Sequence, residues 1–507
     1  MDIQRLRHAT PIQVQTPFVA TAASKASGPV DGVELEGQPV ESGQIRPLRL
    51  LHLNDLHGAV EPEEDAGGLA RVATVLDRQR AENPEGTLTL NAGDLAEGTM
   101  VAYLTKGQVV SEPLGKMGFD AVQPGNHDFA WGQEALQDML DDLNAPILSA
   151  NIVHSKDGSP WATPYLLKDL NGVRVGILGL GVQDMARYVS AEKLEGLEFQ
   201  PPSQAVARYL PELREQGAEV VILLSHQGFD EDCKLAREFP GIDVIVGGHS
   251  HTLLEQGHRE GDTLIVQGGT KGRFVGSVDL GFDLSRRSIV SAEARLIPVD
   301  ADVPPDPEVQ AIINRAVAEV EPIGARVMGF AEEELHYSHG AAAKINQIHA
   351  DSVLQASGAE IALCSARNPR GNLPQGEVTY KDLFSAYPMT EEDAVVMKVT
   401  GRMLMAEMEE RIGDGGRGPA TPAGFRYTYD PTLPSGQRLT EVVLADGSPM
   451  DPDREYTVGT TITMARKKTF REAKEVRNLG SSQEMFMEAF AAGSPWRNDP
   501  DNRLVRL

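Results

Sequence analysis

The first regular pattern along the chain is a series of short apolar runs, each ending in a turn or a polar residue. They are LRLLHLND from Leu48, TLTLNAGD from Thr87, APILSANIV from Ala145, VRVGILGLG from Val173, EVVILLSHQG from Glu219, IDVIVGGHSH from Ile242 and DTLIVQGG from Asp262. Runs this short and continuous predict strands buried on both faces. Stretches with helical spacing of apolar positions lie between several of them, such as GGLARVATVLDRQRAEN and SQAVARYLPELREQG. Strand and helix in alternation predict a layered α/β domain.

The pattern breaks at PVDADVPPDPEVQ, from Pro298, where Pro and Asp crowd together and a domain boundary is expected. IINRAVAEVEPI then predicts a bridging helix. Beyond about Val327 the spacing is helical at AAAKINQIHADSVLQASG and TGRMLMAEMEERI, and strand-like at AVVMKVT, GFRYTYD and REYTVGT. That mixture predicts a separate α+β domain. Before Arg49 there is no periodicity, and Gly, Pro, Ser and Thr are frequent, so an extended or disordered arm is expected. The expected layout is an arm over 1–46, a first domain over 47–300, a linker helix over 301–326 and a second domain over 327–507.

Composition narrows the partners. The length of 507 residues suits two domains, and a hydrophobic fraction of 41% is enough for real cores. The formal net charge of −27 argues against nucleic-acid or anionic-membrane partners, which need clustered Lys and Arg. An anionic substrate must then be drawn in by local positive charge, such as bound metal ions. The 2 cysteines, Cys233 and Cys364, are too far apart in sequence to suggest a disulfide and form no Cys-x-x-Cys zinc motif. No apolar run reaches the roughly 18 residues of a membrane span. Arg5 and Arg7 precede no unbroken apolar stretch, which makes a poor signal peptide, so the chain as written is expected to be cytoplasmic.

The polar residues that close the apolar runs share a chemistry. They read Asn54-Asp55-Leu56-His57, Gly93-Asp94, Gly125-Asn126-His127-Asp128, Ser225-His226-Gln227-Gly228 and Gly247-Gly248-His249-Ser250-His251. Asp, Asn and His are ligand types for manganese, iron and zinc. Loops at the carboxyl ends of strands converge on one crevice, so ligands scattered in sequence can meet. Asp55 and His57 alternate, as do His249 and His251, and each pair is expected to project the same way from a strand end. Asp94 can bridge two cations, and Asn126 offers a neutral carbonyl oxygen. Taken singly, each His is more often structural, and Asn-Asp or Gly-Asn pairs are more often turns. Five blocks, each at a strand end, carry the metal-site reading. Gly-Leu-Gly at 179–181 lacks the third Gly of a nucleotide loop, and Gly-Gly-Thr-Lys at 268–271 lacks phosphate-loop spacing.

These blocks resemble the calcineurin-like metallophosphoesterases. From about residue 48 onward the chain resembles the bacterial 5′-nucleotidase and UDP-sugar hydrolase family. The resemblance implies a four-layer α/β-sandwich catalytic domain followed by a smaller α+β domain that selects substrate. It implies two divalent ions (Mn, Zn or Fe), one held by Asp55, His57, Asp94 and His251, the other by Asp94, Asn126, His226 and His249. His127 would be the catalytic residue, with Asp128 beside it. The ions would activate a hydroxide that attacks phosphorus in line with the leaving group. In the second domain Arg370 falls where a substrate-binding Arg is expected, and Ser365 where an Asn would be. The implied partner is a small phosphoester, in the family a nucleotide, with no nucleic acid and no membrane; the sequence assigns no oligomeric state. Most relatives are exported, which makes the periplasm or the cell exterior the alternative location.

Departures from the family accumulate toward the C-terminus. The triple Gly before Arg370 is absent. Thr463 replaces an aromatic that stacks on the base, and Arg466, Lys467, Lys468 and Thr469 replace a Gly-Gly-Asp-Gly loop. Met389 to Ala394 contains no second stacking aromatic, leaving Phe425, Tyr427 or Phe470 as stand-ins. Near the chemistry, Ala130 stands where the family often has an Asp that orients the catalytic His. Two alternatives follow: a hydrolase for a non-nucleotide ester, or a metal-stabilised binding protein.

Overall fold

The computed structural model describes residues 45–507 apart from 64–65, 339–341, 389–391, 413–417 and 499–501. Most of the arm expected over 1–46 therefore lies outside the described residues. Its last two residues, Ile45 and Arg46, instead open the first strand, paired with Asp283 and Phe282. The described chain forms two compact units that divide between Val320 and Glu321. The division falls inside the helix Pro307–Gly324, within the stretch expected to be a linker helix.

The first unit is built on two mixed sheets. One contains β1 (Ile45–Leu53), β2 (Thr87–Asn91), β3 (Ala121–Val122), β12 (Phe274–Asp283) and β13 (Ser288–Pro298), in the order β13-β12-β1-β2-β3. The other contains β5 (Tyr165–Leu170), β6 (Val173–Leu180), β8 (Val220–Ser225), β9 (Val244–Val246), β10 (His258–Glu260) and β11 (Thr263–Val266), in the order β10-β11-β9-β8-β6-β5. A small ribbon pairs β4 (Ile152–His154) with β7 (Leu197–Phe199). The central strands are parallel: β1 with β2, β2 with β3, β6 with β8, and β8 with β9.

Strand alternation sorts the side chains into layers. Leu48 and Leu50 of β1 meet Val175 and Ile177 of β6, and Ile222 and Leu224 of β8, in a core between the sheets. Leu51 and Leu53, one step out of phase, face the helices Leu69–Glu82, Gln108–Met117 and Gly132–Asp142. On the far side of the second sheet, Val221, Leu223 and Ile245 bury the helices Pro202–Glu215 and Phe229–Glu238. The result is helix, sheet, sheet, helix: the four layers expected. Of the predicted strands, APILSANIV is the exception, giving only bridges at Ile147 and Leu148 before β4. There the buried Asn151 side chain binds both the N–H and the C=O of Gly181, doing locally what a ladder would do.

The second unit has one five-stranded sheet, in the order Ala420–Ala423, Ile361–Ser365, Glu455–Thr461, Asp393–Thr400, Lys474–Ser481. The helix Gly401–Ile412 covers one face through Leu404 and Met408. The helix Lys344–Ser357 covers the other through Ala350 and Val353. A three-stranded sheet of Leu439–Leu444, Phe425–Tyr429 and Leu504–Arg506 completes the α+β unit. Cys233 and Cys364 are both free and buried, one in each unit.

Candidate metal centre

All five polar blocks sit just past the carboxyl ends of parallel strands: β1, β2 and β3 of one sheet, β8 and β9 of the other. The structure gathers Asp55, His57, Asp94 and His251 so that their ligand atoms lie within 4.8 Å of one another. Asp94, His226 and His249 form a second such group, sharing Asp94. The pairs expected to alternate along extended strand ends do not do so. Asp55, His57, Asp94, His249 and His251 all have positive φ, between 48° and 73°. Each lies on a left-handed turn after its strand has ended, because an extended continuation would carry these side chains past the crevice rather than into it.

Other contacts hold these turns. Asp55 accepts from the His249 N–H at 3.0 Å and from Asn54 Nδ2 at 2.6 Å. Asn54 in turn clasps the backbone of Gly268 and Gly269. Asp94 accepts from the His127 N–H at 2.8 Å. Asp128, expected beside His127 in catalysis, spends both oxygens on backbone: Leu95 and Ala96 on one, Gly125 on the other. Its role is to clamp the Asp94 turn onto the Asn126 turn. Burial, and then the nearby Asp94 charge, raise its pKa to about 6.

The imidazoles are oriented for metal. Metal-binding His residues usually donate one ring N–H to a carbonyl and present the other nitrogen. His57 Nδ1 lies 3.0 Å from the Glu97 carbonyl, and His226 Nδ1 lies 2.5 Å from the Ala92 carbonyl. His57 Nε2 then faces His251 Nε2 at 2.9 Å, close to the spacing of adjacent ligands each about 2.1 Å from one ion. His226 Nε2, His249 Nδ1 and both polar atoms of Asn126 are buried with no hydrogen-bond partner among the described residues. Buried polar atoms without partners are costly. The two His atoms belong to the group that Asp94, His226 and His249 form, and a divalent cation would satisfy them. His226 Nε2 is 3.0 Å from Asp94 Oδ2, an ion pair when the ring is protonated, so both atoms face the same space.

Charge among these residues is divided unevenly. Burial alone would push His226 down, but Asp94 and Asp55 outweigh it and raise it to about 9. Burial likewise works to raise Asp94, yet His226, His127 and His57 hold it well below the ordinary carboxylate range. Burial lifts Asp55 to about 7. It lowers His249 to about 3 and His251 to about 4, so both are neutral and ready to ligate.

Two site residues were not singled out by the sequence reading. Glu97 is fully buried, and its Oε2 lies 2.6 Å from His127 Nδ1. Tyr188 is half exposed, with its hydroxyl 3.1 Å from His249 Nε2. Glu97 follows Asp94 by three residues; a second carboxylate that close to a strand-end Asp was the available signal. Nothing in the sequence pointed to Tyr188.

In the second unit, Arg370 is partly buried, its Nε donating to the Arg367 carbonyl at 3.3 Å. Burial lowers its pKa, opposed by Tyr337. Ser365 does not stand open: its hydroxyl accepts from Arg411 Nη2 at 3.0 Å. The three stand-in aromatics are all in the core, Phe425 4%, Tyr427 1% and Phe470 2% exposed. They cannot sandwich a base, because their faces already pack on Leu404, Met408 and neighbouring apolar residues. Thr463 is tied through its N–H and hydroxyl to the buried Glu392. Of the Met389 to Ala394 run, residues 389–391 lie outside the described residues. Arg466, Lys467, Lys468 and Arg471 line an open pocket of about 410 Å³.

Residues 48–253 match the family model of the calcineurin-like phosphoesterases, and residues 325–471 that of the 5′-nucleotidase C-terminal domain. A 5′-nucleotidase of Bos taurus is 26% identical over 479 residues, covering 81% of each chain. Endonuclease YhcR of Bacillus subtilis (strain 168) is 27% identical over 456 residues, 83% of this chain but 37% of YhcR. The chain thus spans little more than a third of that relative. The crystal structure of a 5′-nucleotidase precursor from Thermus thermophilus superposes with a TM-score of 0.70 at 26% identity, over 91% of this chain and 99% of the other.

Proposed function

We propose that the chain belongs to the calcineurin-like phosphoesterases, with a 5′-nucleotidase C-terminal domain following the phosphoesterase domain in sequence, and that it hydrolyses a phosphate ester with two divalent ions. Asp55, His57, Asp94 and His251 would hold one ion, and Asp94, Asn126, His226 and His249 the other. The observation that carries this reading is the gathering of ligand atoms into two groups joined by Asp94, one of Asp55, His57, Asp94 and His251 and one of Asp94, His226 and His249. Such ions supply Lewis acidity toward a phosphoryl oxygen and make water a nucleophile at neutral pH.

The protein's own groups do the rest. Asp55 and Asp128 fix the turns that carry the ligands. His127 lies beside His57, ring centroids 5.0 Å apart, and would stabilise a phosphoryl oxygen or protonate the departing one.

The nature of the leaving group is a finer matter. The relatives named 5′-nucleotidase favour a nucleotide. The burial of Phe425, Tyr427 and Phe470 favours an ester that needs no aromatic sandwich. The test is a panel with manganese: bis(p-nitrophenyl) phosphate, p-nitrophenyl phosphate, AMP, a cyclic nucleotide and UDP-glucose. Metal-dependent turnover that disappears in Asp94→Ala is expected, and the preferred ester identifies the leaving group. No turnover in protein shown to hold two metals would leave the alternative of a binding protein.

A further inference from the structure

The segment from Asp94 to Gly98 serves the site three times. Asp94 gives the carboxylate shared by the two clusters. The Glu97 carbonyl orients His57. The Glu97 side chain, with no exposed surface, reaches His127 Nδ1 at 2.6 Å. Gly98 presses the segment into place: a Cβ there would fall 1.9 Å from the His57 carbonyl oxygen. Glu97 therefore has little freedom to lie elsewhere.

Other carboxylates near His127 are engaged or absent. Asp128 has both oxygens on backbone N–H groups. Ala130, buried at 1% exposure, offers none. A carboxylate on one imidazole nitrogen fixes the tautomer and the ring's orientation. With the proton on Nδ1 directed at Glu97, Nε2 on the opposite edge of the ring becomes the atom that can meet the phosphoester.

Resting on the phosphoesterase reading above, we infer that Glu97 is the positioning residue for His127, holding its Nδ1–H and so presenting Nε2 to the reacting group. Its contribution to the reaction passes through His127. A merely structural buried pair would contribute to stability and metal content whether or not His127 were present.

The test is a double-mutant cycle in the full-length, metal-loaded protein, using p-nitrophenyl phosphate and AMP. Glu97→Gln keeps the shape and removes the charge. It is expected to lower kcat by about a hundredfold, in the range typical of general acid–base groups, with KM changed less than about threefold and metal content unchanged. In the His127→Ala background, Glu97→Gln should cost nothing further. An equal loss in both backgrounds, or a loss of metal, would overturn the inference while leaving the phosphoesterase reading intact. A wild-type protein with no turnover would instead overturn that reading. If Glu97→Gln fails to fold, the wild type still decides the point: ¹⁵N spectra of the metal-free protein, with His127 assigned by its loss in His127→Ala, should show Nδ1 protonated. An unprotonated Nδ1 would rule out the pairing.

Discussion

A Cβ on Gly125 would lie 2.1 Å from Asp94 Oδ1 and 2.6 Å from His226 Nε2. Gly125→Ala must therefore displace two proposed ligands, though its own backbone needs no positive φ. Such a variant should keep its circular dichroism and lose bound metal, read by elemental analysis; full metal content would contradict the placement. At this scale the sequence was informative about ligands and silent about their supports. Asp55, His57, Asp94, Asn126, His226, His249 and His251 stand out as candidates because the same residue types recur at strand ends, and the structure gathers the Asp and His residues among them. Glu97 was not, since its role depends on a turn that folds its side chain back across 30 residues of sequence to His127. Aromatics such as Phe425, Tyr427 and Phe470 are more often core residues than stacking ones on sequence grounds, and their burial agrees.

Among the elements, the parallel strands were readable from apolar runs alone, but the loops beyond them were not. Extended spacing suggested that Asp55 and His57 share a face; the left-handed turns deliver them by another route. The helix Tyr380–Ala386 illustrates how local chemistry positions a distant group. Thr379 caps it, accepting from the Asp382 N–H, while Asp382 reaches back to the Thr379 N–H at 2.8 Å. Its last carbonyl, that of Ala386, receives the Arg370 N–H at 2.7 Å. Loss of such a cap costs about 1 kcal/mol. Thr379→Ala is expected to lower the unfolding free energy by that amount, read as a lower urea midpoint, while leaving metal content unchanged. An unaltered midpoint would show that the cap carries no weight.

For the whole molecule, each unit contains a buried imidazole kept neutral by its surroundings. Burial lowers His52 in the first unit to about 4 and His349 in the second to about 3. His349 Nε2 is 3.0 Å from the Tyr387 hydroxyl, and the Nδ1 atoms of both residues have no partner among the described residues. The folded values lie below the unfolded value near 6.5, so the unfolded chain takes up protons first. The stability these groups contribute is present above about pH 6.5 and is lost as pH falls toward 4 and then 3. Each can remove at most about 1.4 kcal/mol per pH unit across that window. Urea midpoints measured from pH 7 to pH 4 should fall, and His349→Gln should flatten the fall in the second unit. A midpoint independent of pH over that range would contradict the assignment.

The left-handed turns have one more consequence. Non-glycine residues in that conformation cost about 1–3 kcal/mol each when surroundings hold them there, and five of them line one crevice. Without a cation, the fold bears that strain together with partnerless buried atoms. A ligand that binds only the folded form adds about 2.7 kcal/mol at a hundred times its dissociation constant. The melting temperature should therefore climb with added manganese and drop on chelation. In a living cell, the lifetime of this protein would then serve as a gauge of metal supply, with starved copies being the first to be degraded.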